Sequence, residues 1–69
     1  VDEEVETIRR LIEENGSTTV VYRGNRAAVE ADCGANSLRT RHKLRYPNER
    51  WRINQLRDGD DAVLVIRRR

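Results

Sequence analysis

Residues 50–67 read RWRINQLRDGDDAVLVIR, in which two runs of alternating residues flank the dipeptide Asp58-Gly59. Asp-Gly between such runs is a strong signal for a two-residue hairpin loop of type I′, because both loop positions then need positive φ. The stretch therefore predicts two antiparallel strands, at about 50–57 and 62–68, with one apolar face. The expected cross-strand pairs on that face are Trp51–Ile66, Ile53–Leu64 and Gln55–Ala62.

The length of 69 residues predicts one small domain that spans residues 1–69. A chain of this size buries only about 60% of the surface that its unfolded state exposes, so its stability is marginal. With 36% hydrophobic and 38% charged residues, and neither Phe nor Met, the core must be thin. No catalytic or nucleotide-binding motif occurs, and a deep cleft is not expected, so the sequence does not predict an enzyme.

The cysteine content argues against a metal site. Cys33 is the single cysteine; it can form no intrachain disulfide, and a zinc site normally takes four ligands. The aspartates around Gly59 lack the later bidentate glutamate of an EF-hand loop. We therefore expect no cofactor and no metal. The chain also shows no signal peptide and no apolar run of about 18 residues, which predicts a cytoplasmic protein with no membrane partner.

Charge is distributed unevenly along the chain. Residues 1–35 carry eight acidic and four basic side chains, whereas residues 36–69 carry four acidic and ten basic ones. The net charge of +2 is thus the sum of −4 in the first half and +6 in the second. An anionic partner is expected to bind the second half.

The first predicted element is an amphipathic helix at residues 2–15. Acidic residues fill its first turn, where the helix dipole favours negative charge, and Asn15-Gly16 suits a left-handed stop. Its apolar stripe repeats at the helical period and consists of Val1, Val5, Ile8, Leu11 and Ile12.

Three more strands are predicted, at about 18–23, 26–32 and 38–46. Gly24-Asn25 suits a hairpin loop between the first two. Strict alternation through 38–46 places Leu38 and Leu44 on the inner side and basic residues on the outer side. The predicted fold is α+β, with the N-terminal helix packed on one face of an antiparallel meander of about five strands. Its expected inner face comprises Val20, Tyr22, Ala27, Val29, Leu38, Leu44, Tyr46, Trp51, Ile53, Leu64 and Ile66.

A second architecture stays open, because residues 26–33 also have good helical propensity. The order is then helix, strand, helix at 26–33, helix at 36–46, strand and strand, which resembles a winged-helix domain. The resemblance lies in the order of the elements, without a specific motif. It implies a recognition helix at 36–46 and a wing tip at Asp58-Gly59.

Basic residues project from one side of the predicted strand 38–46 and from the start of the next strand. Phosphate is their natural ligand, because arginine and lysine release counterions from nucleic acid and arginine also reads guanine. The sequence therefore predicts a non-catalytic nucleic-acid-binding domain that uses a basic sheet face, with DNA or RNA as its partner. The predicted binding residues are Arg39, Arg41, Lys43, Arg45, Arg50 and Arg52.

Two other interpretations of these charges stay open. Basic side chains also solvate the exposed side of a sheet and discourage aggregation at its edges. A basic face combined with an acidic helix also fits a small regulator or inhibitor that docks on an acidic protein partner by charge complementarity.

A few residues are assigned by their side of the sheet. His42, the only histidine, is expected to point inward, and no nucleophile lies beside it, so a structural role is favoured. Four apolar residues fall on the outer face, where they are either scattered exposed side chains or the seam of a homodimer. These are Val21, Leu56, Val63 and Val65.

Overall fold

The computed structural model describes all 69 residues and contains two helices and three strands. The strands form one antiparallel sheet in the order β1-β3-β2. The α+β class is confirmed, whereas the prediction of about five strands is wrong. In chain order the elements are α1 (Glu3–Asn15), β1 (Ser17–Tyr22), α2 (Ala27–Arg45), β2 (Trp51–Asp58) and β3 (Asp61–Arg68).

Helix α1 forms where its apolar period and end signals predict it. Asp2 is the N-cap, and its Oδ1 accepts a hydrogen bond of 3.2 Å from the Val5 amide. Gly16 ends the helix with φ of 85° and donates its N–H to the Ile12 carbonyl at 2.7 Å. The buried stripe consists of Val5, Ile8 and Ile12. This stripe packs onto the sheet, which stabilises a helix too short to be stable alone.

The prediction of strands at 26–32 and 38–46 is wrong, because one continuous helix, α2, occupies both segments. In a helix Leu44 points away from the core and is 78% exposed, and Val29 is 52% exposed. The basic residues alternate as they would on a strand, but the buried residues follow the period of a helix. The buried side chains recur every three or four residues, at Ala27, Ala31, Ala35, Leu38 and His42.

Small residues let α2 pack closely on the sheet. Gly34 lies within the helix, and a β-carbon at this position would overlap the hydroxyl oxygen of Tyr22 on β1. Gly34 is therefore a packing residue within the helix. The winged-helix alternative is right that residues 26–33 and 36–46 are helical, but it is wrong that a turn separates them, because one uninterrupted helix spans Ala27–Arg45.

Strand β1 pairs with β3 and not with the residues that follow it. Gly24, with φ of 99°, lies in the turn that leads into α2. The predicted hairpin at Gly24-Asn25 is therefore wrong. After β1, the chain crosses the sheet through α2 and then enters β2, the strand at the opposite edge. The cross-strand partners that face the helices are Thr18–Ile66, Val20–Leu64 and Tyr22–Ala62.

The β2–β3 hairpin is present, but its register differs from the prediction by two residues. Ile53 faces Ile66 and Asp58 faces Asp61, so the loop is Gly59-Asp60. Gly59 has φ of 63° and no non-glycine residue has positive φ, which is the type II′ pattern with glycine first. Because the shift is an even number of residues, every side chain stays on its predicted face.

The core lies between the sheet and the two helices. β3 is the central strand, and alternate residues along it, Ala62, Leu64 and Ile66, are fully buried. Trp51 at the start of β2 and Leu38 of α2 close the same layer. Neither helix has the length and apolar composition that a membrane span requires.

Candidate functional site

Helix α2 separates the predicted basic residues into two groups. Residues four apart share a helix face, so Arg39 and Lys43 lie on one side of α2 while Arg41 and Arg45 lie on another. The predicted strand would have placed all four on one side. This division decides which of the cations are free to bind a ligand.

Arg41 is held by acidic residues at the start of α1. Its Nη1 donates to both carboxylate oxygens of Asp2, at 3.1 and 3.0 Å, and its Nη2 lies 2.6 Å from Glu4 Oε1. The hydrogen bond to Glu4 is the main cause that raises the pKa of Arg41. The guanidinium is therefore already neutralised by two carboxylates.

Arg45 is held in a similar way. Its Nε lies 3.2 Å from Oε2 of Glu6, and the hydroxyl of Tyr46 donates to the same carboxylate at 2.6 and 2.7 Å. The Tyr46 hydrogen bond is the main cause that lowers the pKa of Glu6. Acidic residues at the start of α1 thus bind two arginines of α2. The sequence pattern alone had placed these acidic and basic residues in separate regions.

We expect Arg41→Ala to lower the free energy of unfolding by about 0.5–1 kcal/mol, because the ion pairs with Asp2 and Glu4 are partly exposed to solvent. Urea denaturation measures this loss, which should shrink at high salt as the ion pairs are screened. Lys43→Ala, an exposed cation on the same helix, is the matched control and should change the stability by less than about 0.5 kcal/mol. Equal effects of the two variants would contradict a structural role for Arg41.

Four other cations surround one surface depression beside Trp51. They are defined here as the basic groove: Arg39, Lys43, Arg50 and Arg69. None of the four forms an ion pair. Arg39 reaches from α2 to the edge strand β2, where its Nη2 lies 3.4 Å from the Ile53 carbonyl oxygen. The Arg69 amide donates a hydrogen bond of 2.9 Å to the Arg50 carbonyl, and this bond holds Arg50 and Arg69 next to each other.

Glu49, the acidic residue that lines the groove, is bound by Arg9 and His42, which lie beneath the groove. Arg9 of α1 donates to both of its oxygens, at 3.0 Å each, and His42 Nε2 lies 2.9 Å from Oε1. The Arg9 hydrogen bond is the main cause that lowers the pKa of Glu49 to about 2. Glu49 is therefore bound by Arg9 and His42, and it forms no ion pair with any of the four groove cations.

Stacked rings form the floor of the groove. The rings of His42 and Trp51 are stacked, with centroids 3.7 Å apart and an interplanar angle of 11°. Arg9 also lies over the Tyr46 ring at 3.7 Å. These contacts connect α1, α2 and β2 beneath the cations. They support the structural role predicted for His42, and they bury Trp51 rather than offering it for base stacking.

Arg52 lies outside the groove. It projects from the outer face of β2, directly across from Arg67 of β3. Of the six predicted binding residues, the structure thus brings three together in the groove, and it engages two in ion pairs and places one on the sheet. The sequence reasoning missed Arg69 and the Arg9–Glu49–His42 cluster, because Arg9 and Glu49 are 40 residues apart and no local spacing connects them.

Few side chains other than the charged ones suggest a function. No group of three or more His, Cys, Asp or Glu side chains is placed to hold a metal ion. Cys33 is exposed on α2. The basic groove is therefore the feature on which a function can be based. Comparison with protein-family models, curated proteins and solved structures finds no match for this chain.

Proposed function

We propose that this chain is a non-catalytic nucleic-acid-binding domain whose basic groove binds the phosphate backbone. One observation carries the proposal: four cations, two from α2 and one each from the residues just before β2 and just after β3, converge on one depression, and none forms an ion pair. Four positive charges gathered at one place attract a polyanion far more strongly than scattered charges do. DNA and RNA both present closely spaced phosphates.

The groove binds phosphate in this proposal, and it does not read sequence. Arg39 and Lys43 lie one helical turn apart on α2, and Arg50 and Arg69, which directly flank the strands β2 and β3, line the same depression. Charges on two sides of a groove position a backbone that runs between them, and such contacts set register and orientation. Arg41 and Arg45 are left out of the proposed site because Asp2, Glu4 and Glu6 already bind them.

The proposal differs from the solvated-surface interpretation in one measurable way. Side chains that only solvate a surface have no ligand, whereas phosphate contacts give an affinity that falls steeply with salt. An acidic protein partner is distinguished by a defined stoichiometry and by competition with a polyanion at the same residues.

We expect Lys43→Ala combined with Arg50→Ala to weaken binding about tenfold and to reduce the salt slope by about 2, as the loss of two phosphate contacts requires. The measurement is fluorescence anisotropy with labelled duplex and single-stranded oligonucleotides of mixed sequence, across a salt series. Wild-type binding should be micromolar or tighter at low salt, within the range of non-specific binding.

The matched control is Arg26→Ala combined with Arg57→Ala. Both of these arginines are exposed and form no ion pair, and the change in net charge is the same. Along α2 and β2 they lie about 20 Å or more from Lys43 and Arg50, the two residues that the test replaces, at the usual rise per residue. The control should retain most of the affinity. Equal losses in both double variants, or no binding by the wild type at low salt, would overturn the proposal.

A further inference from the structure

The outer face of the sheet is covered by neither helix. The side chains that pack on the helices alternate with those that point outward. On the outer face Val21 is 45% exposed and Leu56 is 54% exposed, and Val63 and Val65 are partly exposed between them. The outer face thus presents an apolar surface in the middle of a chain that is otherwise highly charged.

The strand register arranges this face in rows. The middle two rows, Leu56–Val63–Val21 and Asn54–Val65–Thr19, are apolar or neutral. Beyond them, one end of the face carries an acidic pair, Asp58 across from Asp61, and the other end carries a basic pair, Arg52 across from Arg67. Like charges directly across a ladder destabilise it, so each pair is unfavourable in an isolated chain, although Arg23 lies 3.7 Å from Asp61.

The two pairs are complementary to each other. We infer that two copies of this chain form a symmetric dimer through their outer sheet faces, with the acidic pair of each copy against the basic pair of the other. In such a dimer each unfavourable pair gains two opposite charges. The apolar rows pack together and lose their contact with water. The same patch serves both copies, as a two-fold axis requires.

The order of the rows determines the direction of the two-fold axis. Asp61 and Arg67 lie on the same strand, and the midpoint between them is at residue 64. An axis across the strands at that level places the Asp58–Asp61 pair over the Arg52–Arg67 pair, and the Val63 row over the Val65 row. An axis along the strands would place like charges on like charges. The charge pattern therefore selects the first arrangement.

The size of the face predicts a weak dimer. Three strands about 4.8 Å apart and seven residues long give a buried area on the order of 1,000 Å² for both copies together, at the lower limit for a specific interface. Self-association is therefore expected in the micromolar range and with a dependence on salt.

The dimer also brings two basic grooves into one assembly. The use of both grooves together rests on the proposed function. An axis across the strands leaves both β2 edges, and hence both grooves, on the same side of the dimer. Arg69 lies five residues beyond the axis level, so the two grooves are offset by about 33 Å along the strand direction at the usual rise of a strand, and the two stacked sheets between them are about 10 Å apart. The offset along the strands is close to the roughly 34 Å of one helical turn of B-DNA. A dimer would therefore present both grooves to one side of a duplex.

The test uses two charge variants and no nucleic acid. Arg52→Asp with Arg67→Asp makes both ends of the face acidic, and Asp58→Arg with Asp61→Arg makes both ends basic. We expect each variant alone to be monomeric up to about 500 µM in sedimentation velocity, whereas the wild type dimerises in the micromolar range. An equimolar mixture of the two variants should recover a dimer of one copy each, because every contact then joins opposite charges.

Two exposed leucines provide a matched control on the apolar rows. Leu56→Ser lies within the proposed interface and should weaken dimerisation at least fivefold, whereas Leu44→Ser on α2 should leave it unchanged. Circular dichroism confirms that each variant is folded, and the leucine pair keeps the test valid where a charge variant does not fold. A wild type that stays monomeric at the highest concentration would overturn the inference. A mixture that fails to associate would do the same, and neither result depends on nucleic-acid binding.

Discussion

Replacing Glu49 by glutamine is expected to lower the free energy of unfolding by about 2–3 kcal/mol, although the shape of the side chain is kept. Glu49 accepts two hydrogen bonds of 3.0 Å from Arg9 and lies 2.9 Å from His42 Nε2. Its side chain is only 18% exposed. A neutral amide removes the charge that Arg9 needs in this partly buried site, and its NH₂ group faces donors on both sides.

Urea denaturation at neutral pH measures this loss, which corresponds to a decrease in Tm of about 15–20 °C for a domain of this size. Glu14→Gln is the matched control, because Glu14 is exposed and has no ion pair or side-chain hydrogen bond. The control should change the stability by less than about 0.5 kcal/mol. If Glu49→Gln behaves like the control, the cluster beneath the groove is not a source of stability.

The same carboxylate predicts how stability depends on pH. Its pKa of about 2 in the folded chain lies below its ordinary value of 4.5. A carboxyl group with a lowered pKa stabilises the folded state fully above the ordinary value, and its contribution is lost as pH falls through the folded-state value. The difference in stability between the wild type and Glu49→Gln should therefore be constant above about pH 5 and shrink steadily towards pH 2. A difference that stays constant over this range would contradict the assignment.

Replacing Gly34 by alanine is expected to destabilise the protein by about 1–3 kcal/mol, even though alanine is normally better than glycine inside a helix by about 1 kcal/mol. The reason is steric. The new β-carbon would overlap the Tyr22 hydroxyl oxygen and lie 2.9 Å from Tyr22 Cζ. Either α2 moves away from β1, or the half-buried Tyr22 ring leaves its site. Both movements reduce the packing of the core.

A double-mutant cycle with Tyr22→Phe separates this clash from other effects of the substitution. Phenylalanine lacks the hydroxyl oxygen, so Gly34→Ala should cost less in that background, by about 1 kcal/mol or more. Cys33→Ala, at the neighbouring exposed position of α2, controls for the general effect of alanine and should be nearly neutral. A stabilising Gly34→Ala, or a cost that Tyr22→Phe does not change, would show that the close approach of α2 to β1 is not required.

The features of the fold that follow from local signals were predictable. Helix α1 has its stripe, its Asp2 cap and its Gly16 stop within sixteen residues, and all three act where they lie. The hairpin of β2 and β3 follows from the glycine at its turn. Its register shifted by two residues because Gly59 alone takes positive φ, which favours a type II′ loop over the expected type I′ loop.

The favoured prediction placed strands where helix α2 lies, because the sequence of this segment satisfies two periods at once. Every second residue from Arg39 to Arg45 is basic, as on the exposed face of a strand. Gly34 is a glycine, a residue type typical of turns. The helical period is carried by alanines, whose small side chains are a weak hydrophobic signal. Close packing against Tyr22 and the sheet decides in favour of the helix, since it buries Ala27, Ala31 and Ala35 together.

The candidate site divides in the same way between local and long-range causes. The sequence alone determined the excess of positive charge in the second half of the chain, the two elements with local end signals, and the exposed valines of the outer sheet face. Only the tertiary structure decided which cations are free. It brings Asp2, Glu4 and Glu6 onto Arg41 and Arg45, from 37 to 39 residues away, and it leaves Arg39, Lys43, Arg50 and Arg69 unpaired. Charges that distant meet only after the helices have packed, so the pattern of neutralisation is a property of the fold.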